Sequence, residues 1–120
     1  MAFPGTYNIN YYKGDTYEFR IYPKDAAGDP FDLTDYVGSE TFTIANVRGS
    51  EATTTILAYA SIIDDNYVLC AIRPADSLNL VAGTTYYYDV SIDKTGDDYD
   101  SVFTLLTGTI TVTDHVSGAV

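Results

Sequence analysis

The stretch Ala82-Gly83-Thr84-Thr85-Tyr86-Tyr87-Tyr88-Asp89-Val90-Ser91-Ile92, answered after a charged loop by Leu105-Leu106-Thr107-Gly108-Thr109-Ile110-Thr111-Val112-Thr113, decides the fold. In the first segment Tyr86, Tyr88, Val90 and Ile92 fall on one side and Tyr87, Asp89 and Ser91 on the other. A period of two is the signature of a strand with one buried face, because successive side chains leave a pleated backbone in opposite directions. The second segment changes parity: Phe103 and Leu105 are odd, whereas Leu106, Ile110 and Val112 are even. Only an inserted residue keeps both sets facing one core, so a β-bulge is expected near Leu105 or Leu106. Lys94-Thr95-Gly96-Asp97-Asp98-Tyr99-Asp100 is the loop of this hairpin.

The same period recurs upstream. A first strand is expected over Tyr7 to Tyr12, then a turn at Lys13-Gly14-Asp15. The second strand, Thr16 to Tyr22, sets Tyr17, Phe19 and Ile21 inward and Thr16, Glu18 and Arg20 outward. Pro23 ends it by removing a ladder donor, and Lys24-Asp25-Ala26-Ala27-Gly28-Asp29-Pro30 is built of turn residues. Phe31-Asp32-Leu33-Thr34-Asp35-Tyr36 reads as a crossover whose Phe31, Leu33 and Tyr36 cap one end of the core. A strand near Glu40 to Val47 turns Phe42 and Ile44 inward, and Arg48-Gly49-Ser50-Glu51 is its turn. Asp64-Asp65-Asn66 joins a weaker strand, Thr54 to Ile62, to Tyr67 to Arg73 in a hairpin. Pro74 opens a single helical turn, since proline suits the first helical position.

This order of elements predicts an all-β fold: a single domain over residues 1–120, as an immunoglobulin-like antiparallel β-sandwich of about seven to eight strands with no long helix. The Cys and Trp pattern of true immunoglobulins is absent, so the architecture alone carries over. Residues 1–6 are expected to form a short N-terminal arm and residues 114–120 a C-terminal tail. No repeat, low-complexity tract or linker interrupts the chain.

Composition narrows the function. With 46% hydrophobic and 19% charged residues the chain can bury enough apolar surface to fold. Seventeen acidic against six basic residues give a net charge of −11, which repels phosphate backbones and anionic lipid, so neither nucleic acid nor membrane is an expected partner. One cysteine, Cys70, excludes an intramolecular disulfide and reads as a small buried hydrophobe. No basic region followed by an apolar run opens the sequence, and no apolar stretch approaches a membrane span of roughly 18 residues. Assembly in a cytosol is the expectation.

Chemistry-bearing motifs are few. The sole histidine, His115, lies in the tail; a Gly-x-Ser-x-Gly elbow, a phosphate-binding glycine loop and His-Glu-x-x-His do not occur. One Cys and one His cannot make a four-ligand zinc site. Paired carboxylates raise the possibility of a glycosidase, but acids on the turns of an acidic chain are ordinarily solvated. Asp25, Asp29, Asp32 and Asp35, and separately Asp97, Asp98 and Asp100, offer hard oxygen ligands to calcium without the spacing of a dedicated calcium loop. No catalytic residue, metal site or cofactor is assigned.

The twelve tyrosines, with no tryptophan, remain. Strand parity leaves Tyr87, Tyr12 and Tyr22 exposed, as anchors for a protein interface or platforms for a sugar ring. Phe3 in the N-terminal arm is a further interface candidate, the alternative being that it closes the sandwich.

Taken together, Gly28-Asp29-Pro30-Phe31-Asp32-Leu33-Thr34-Asp35-Tyr36, the Ala82 to Val90 segment and Leu105 to Val112 resemble small virion proteins of tailed bacteriophages. They are similar to the immunoglobulin-like N-terminal domain of phage baseplate upper proteins and to short stand-alone decoration or minor structural proteins. The resemblance implies a non-enzymatic β-sandwich bound to a particle, with the phage major capsid protein or tail proteins as partners and possible self-association there. It carries no catalytic residues. A baseplate upper protein would continue past Val120, so the expectation is a capsid decoration or minor capsid protein of the virion, assembled in the host bacterial cytoplasm. A tail or baseplate component is the runner-up, and a carbohydrate-binding adhesion module comes third.

Overall fold

The computed structural model describes residues 4–49, 51–94 and 101–114. Its strands in chain order are β1 (Gly5–Thr6), β2 (Ile9–Tyr12), β3 (Tyr17–Ile21), β4 (Thr41–Ala45), β5 (Thr55–Ile63), β6 (Tyr67–Ile72), β7 (Thr85–Lys94) and β8 (Ser101–Thr113). A 3₁₀ turn over Thr34–Tyr36 and a one-turn helix α1 (Pro74–Ser77) are the helical elements among the described residues. The fold is all-β, and every element except β1 falls within a few residues of its expected place.

The strands follow one hydrogen-bonded path, β1-β8-β7-β4-β5-β6-β3, with β2 also against β8. The path curls at β5. Thr55 to Ala58 pair with β4, whereas Tyr59 to Ile63 pair with β6, so one nine-residue strand belongs to both halves of the sheet. The curl brings β3 over the other half: the Phe19 ring meets Phe42 edge-on at 5.4 Å and Tyr88 at 6.2 Å. Between the halves lie Ile9, Tyr11, Phe42, Ile44, Val68, Cys70, Ile72, Tyr88, Val90, Ile92, Ile110 and Val112, all buried. Leu33 and Tyr36 cap one end as expected, with the Phe31, Tyr36 and Phe103 rings in mutual contact.

Turn chemistry fits the connections. Asp64 and Asp65 both have positive φ, 51° and 54°, and the Asn66 N–H returns to the Ile63 carbonyl. Two left-handed central residues match the right-handed twist of the strands they join, and aspartate tolerates that region better than most residues. The β7–β8 register slips between Val90 and Ser91: Val90 faces Leu106 and Ser91 faces Thr104, which leaves Leu105 as the inserted residue. Leu105 is buried and Leu106 packs against the core, so the bulge resolves the parity conflict in the sequence.

Two expectations need correction. The strand expected over Tyr7 to Tyr12 is interrupted at Tyr7-Asn8, and Gly5 and Thr6, expected in a free arm, pair with Leu106 and Thr107 as β1. Gly108 explains the break. A Cβ placed there would sit 2.0 Å from the Tyr7 carbonyl oxygen, so that carbonyl occupies the room a side chain would take. It accepts a hydrogen bond from the Tyr88 hydroxyl at 2.6 Å, while the Asn8 side chain accepts from the N–H and hydroxyl of Thr109. The second correction concerns direction: β1 and β2 run parallel to β8, against an expectation of wholly antiparallel pairing. Parallel neighbours require a long connection, and here most of the chain intervenes.

Candidate functional site

The outward-facing side chains organise around the three arginines, each of which lies over a tyrosine ring. Arg48 comes from the β4–β5 turn. Its guanidinium is 5.3 Å from the centre of the Tyr87 ring, 3.1 Å from Asp89 Oδ1 and 2.6 Å from Thr107 Oγ1. Asn46 holds the turn in place by accepting the N–H groups of Thr53 and Thr54 and donating to the Thr53 hydroxyl. Beside it is an open depression of about 230 Å³ walled by Thr43, Ala45, Val47, Thr55 and Tyr87. The Arg48–Asp89 pair is nearly half exposed on both sides, so its worth is at most about 1 kcal/mol; its effect is to fix the guanidinium over Tyr87.

The other two pairs share the outer face of the β3–β6–β5 half. Register places Glu18 and Arg20 of β3 beside Ala71 and Leu69 of β6, which in turn face Tyr59 and Ser61 of β5. Arg20 lies 5.8 Å from the centre of the Tyr67 ring, and Tyr22 packs against the same ring at 5.1 Å. Arg73 lies 5.9 Å from Tyr59 and is gripped twice by Asp76, through Nε to Oδ2 at 3.0 Å and Nη2 to Oδ1 at 2.9 Å. That grip raises the guanidinium's already high pKa. This face therefore mixes Tyr22, Tyr59, Tyr67 and Leu69 with two fixed cations.

Of the four interface candidates, Tyr12, Tyr22 and Tyr87 are exposed. They are not brought together. Tyr87 and Tyr12 share an outer face, but Tyr87 faces Thr109 and Tyr12 faces Thr113, so they lie apart along β8. Tyr22 belongs to the opposite half, beside Tyr67. Phe3 lies outside the described residues, as do His115, Asp97, Asp98 and Asp100. The arginine partners went unseen in the sequence, since nothing local in the sequence pairs Arg20 with Tyr67 or Arg48 with Tyr87.

Two acidic residues of the Asp25 to Asp35 connection, Asp25 and Asp32, brace the local backbone. Asp25 accepts the N–H groups of Ala27 and Asp29; Asp32 accepts the N–H and hydroxyl of Thr34, which hold its carboxyl below the usual range; Asp35 lies 3.5 Å from Lys94. Among the described residues no three His, Cys, Asp or Glu side chains converge as a metal site would require. Cys70 is buried, and burial pushes its thiol up to about 12, leaving it protonated and unreactive at neutral pH. No helix among the described residues is long and apolar enough to cross a membrane. The sequence has no significant match among models of known protein families or among curated proteins.

Proposed function

We propose that the chain is a non-enzymatic structural protein of a tailed-bacteriophage virion, a capsid decoration or minor capsid protein that docks on the shell and ties neighbouring subunits together. The curled sheet stands, in this reading, for the immunoglobulin-like sandwich that the resemblance implies. The observation that carries the proposal is the set of three arginine–tyrosine pairs on the outer surface. Tyrosine and arginine dominate binding hot spots because each combines a large apolar body with a polar tip. Here their side chains are held in advance by neighbours, so docking orders little that is not already ordered. A contact of about 1,200 Å² or more per copy would act as a clamp, and many copies on a symmetric shell would add up.

The test is cosedimentation of the purified chain with separated heads and tails of its phage, followed by counting copies per particle. High-copy binding to heads that is lost in a Tyr59→Ala, Tyr67→Ala double variant is the expected result. Binding to tails alone would replace it with a tail or baseplate role. Binding to neither would overturn the virion reading and make exposed tyrosines that hold glycans the next reading to examine on a glycan array.

A further inference from the structure

Strand β3 ends the hydrogen-bonded path: it pairs with β6 on one side and, among the described residues, with no strand on the other. Its inward residues betray the missing neighbour. Tyr17, Phe19 and Ile21 are only half buried, whereas Val68, Cys70 and Ile72 on the adjacent β6 are fully buried. An apolar groove of about 420 Å³ runs along this free edge, lined by Tyr7, Phe19, Ile21, Tyr22 and Leu106, with Arg20 at its rim. An open edge of this kind is a template for another strand, and proteins that stay monomeric normally blunt it with proline, a bulge, an inward charge or charged side chains along the edge. Tyr17–Ile21 has no proline, bulge or inward charge; its only charges, Glu18 and Arg20, are of opposite sign and face outward, and Pro23 comes only after the strand ends.

The sequence of the edge then selects its partner. Tyr17-Glu18-Phe19-Arg20-Ile21 is self-complementary when two copies run antiparallel about a two-fold axis through Phe19. Glu18 of each copy then stands directly opposite Arg20 of the other, on the exposed outer face. On the inner face, Tyr17 stands opposite Ile21 of the second copy, and the two Phe19 side chains meet on the axis. Opposite charges and aromatic–aliphatic pairs at directly facing positions are the pairings that stabilise antiparallel strands, and a two-fold axis delivers each pair twice. The geometry points to a symmetric dimer formed by β3–β3 pairing, in which each copy covers the groove of the other. This inference rests on the free edge and its charges, and not on the virion reading.

The test uses the purified full chain at 0.15 M salt, where the repulsion between two acidic molecules is largely screened beyond about 8 Å. Sedimentation equilibrium over a concentration series, up to about millimolar, should show a monomer–dimer equilibrium. Glu18→Arg and Arg20→Glu should each weaken it about tenfold or more, because each places like charges opposite one another twice. The double variant Glu18→Arg, Arg20→Glu restores opposite pairing and should return to within about twofold of the parent. Both positions are exposed, and far-ultraviolet circular dichroism checks that each variant keeps its fold. A chain that stays monomeric throughout would overturn the dimer and give the groove to a strand of another protein. A dimer indifferent to the single reversals, or not rescued by the double one, would overturn this register.

Discussion

Strands β7 and β3 read alike in the sequence and end differently in the molecule. Both alternate cleanly, and both turn aromatic and branched side chains inward. Yet Tyr88, Val90 and Ile92 are fully buried, while Tyr17, Phe19 and Ile21 keep part of their surface in water. β7 lies between β8 and β4; among the described residues β3 has β6 alone. Alternation tells which way a side chain points, and the number of flanking strands decides how completely it is covered. The contrast is also energetic, since burial stabilises roughly in proportion to the apolar area withdrawn from water.

The sharpest way to probe the interior end of this contrast is Gly108→Ala. Its new Cβ would meet Tyr7 backbone at 2.0 Å, so the start of the chain must move off β8 and the Tyr88 hydroxyl loses its acceptor. A loss of about 4 kcal/mol is expected in chemical denaturation, at the level that marks a disrupted backbone or core. Tyr88→Ala comes next, at about 3 to 5 kcal/mol, for a fully buried ring packed against Phe42 and Phe19. The matching change on the edge strand, Phe19→Ala, should cost only about 2 kcal/mol in the monomer, in keeping with its partial burial. If its cost rises toward that of Tyr88→Ala with protein concentration, the edge is being covered by a second copy.

Alkaline pH separates the two regions more gently. Cys70 is raised from 9.0 to about 12 by burial; Tyr17 is raised from 10.0 to about 12 by partial burial and then by the Tyr7 hydroxyl 2.9 Å away. In both, the fold favours the protonated form, so the stabilisation is complete below the unfolded pKa and is lost as pH rises through the folded one. Stability should hold to about pH 9 and then decline toward pH 12, by at most about 1.4 kcal/mol per pH unit for each group. Cys70→Ala should abolish the decline between pH 9 and 10 and make it shallower from pH 10 to 12. Arg48→Ala should have the smallest effect, under about 1 kcal/mol, because its ion pair is exposed.

Much of this contrast was written locally. The inward sets on β3, β4 and β7, the Asp64-Asp65 turn and the bulge at Leu105 all follow from parity and turn chemistry. The curl at β5 was not legible, because Thr55 to Ile63 alternate in the same way whether their partner is β4 or β6. The contact of Tyr7 with Gly108 left one trace, a glycine in the middle of a strand, which marks close approach of another backbone. The arginine–tyrosine pairs left none: Arg48 and Asp89 are 41 positions apart. Parity alone puts Tyr12, Tyr22 and Tyr87 on the outside, where they lie, whereas their grouping depends on strand order.

The pairing of β1 and β2 with β8 has a temporal side. Asn8 and Thr109 are in contact across 101 positions, and β2 has β8 as its partner. A ribosome adding roughly 5 to 20 residues per second leaves β1 and β2 without their partner for on the order of ten seconds, until β8 has emerged. Strands β5 to β8 each find a partner already made, and β4 and β3 wait only for β5 and β6, whereas β1 and β2 wait for the last strand of the sheet. Contacts of such long range slow folding, because the entropy of closing the intervening loop must be overcome before any bond compensates for it. Completion of the sheet is thereby coupled to the synthesis of β8.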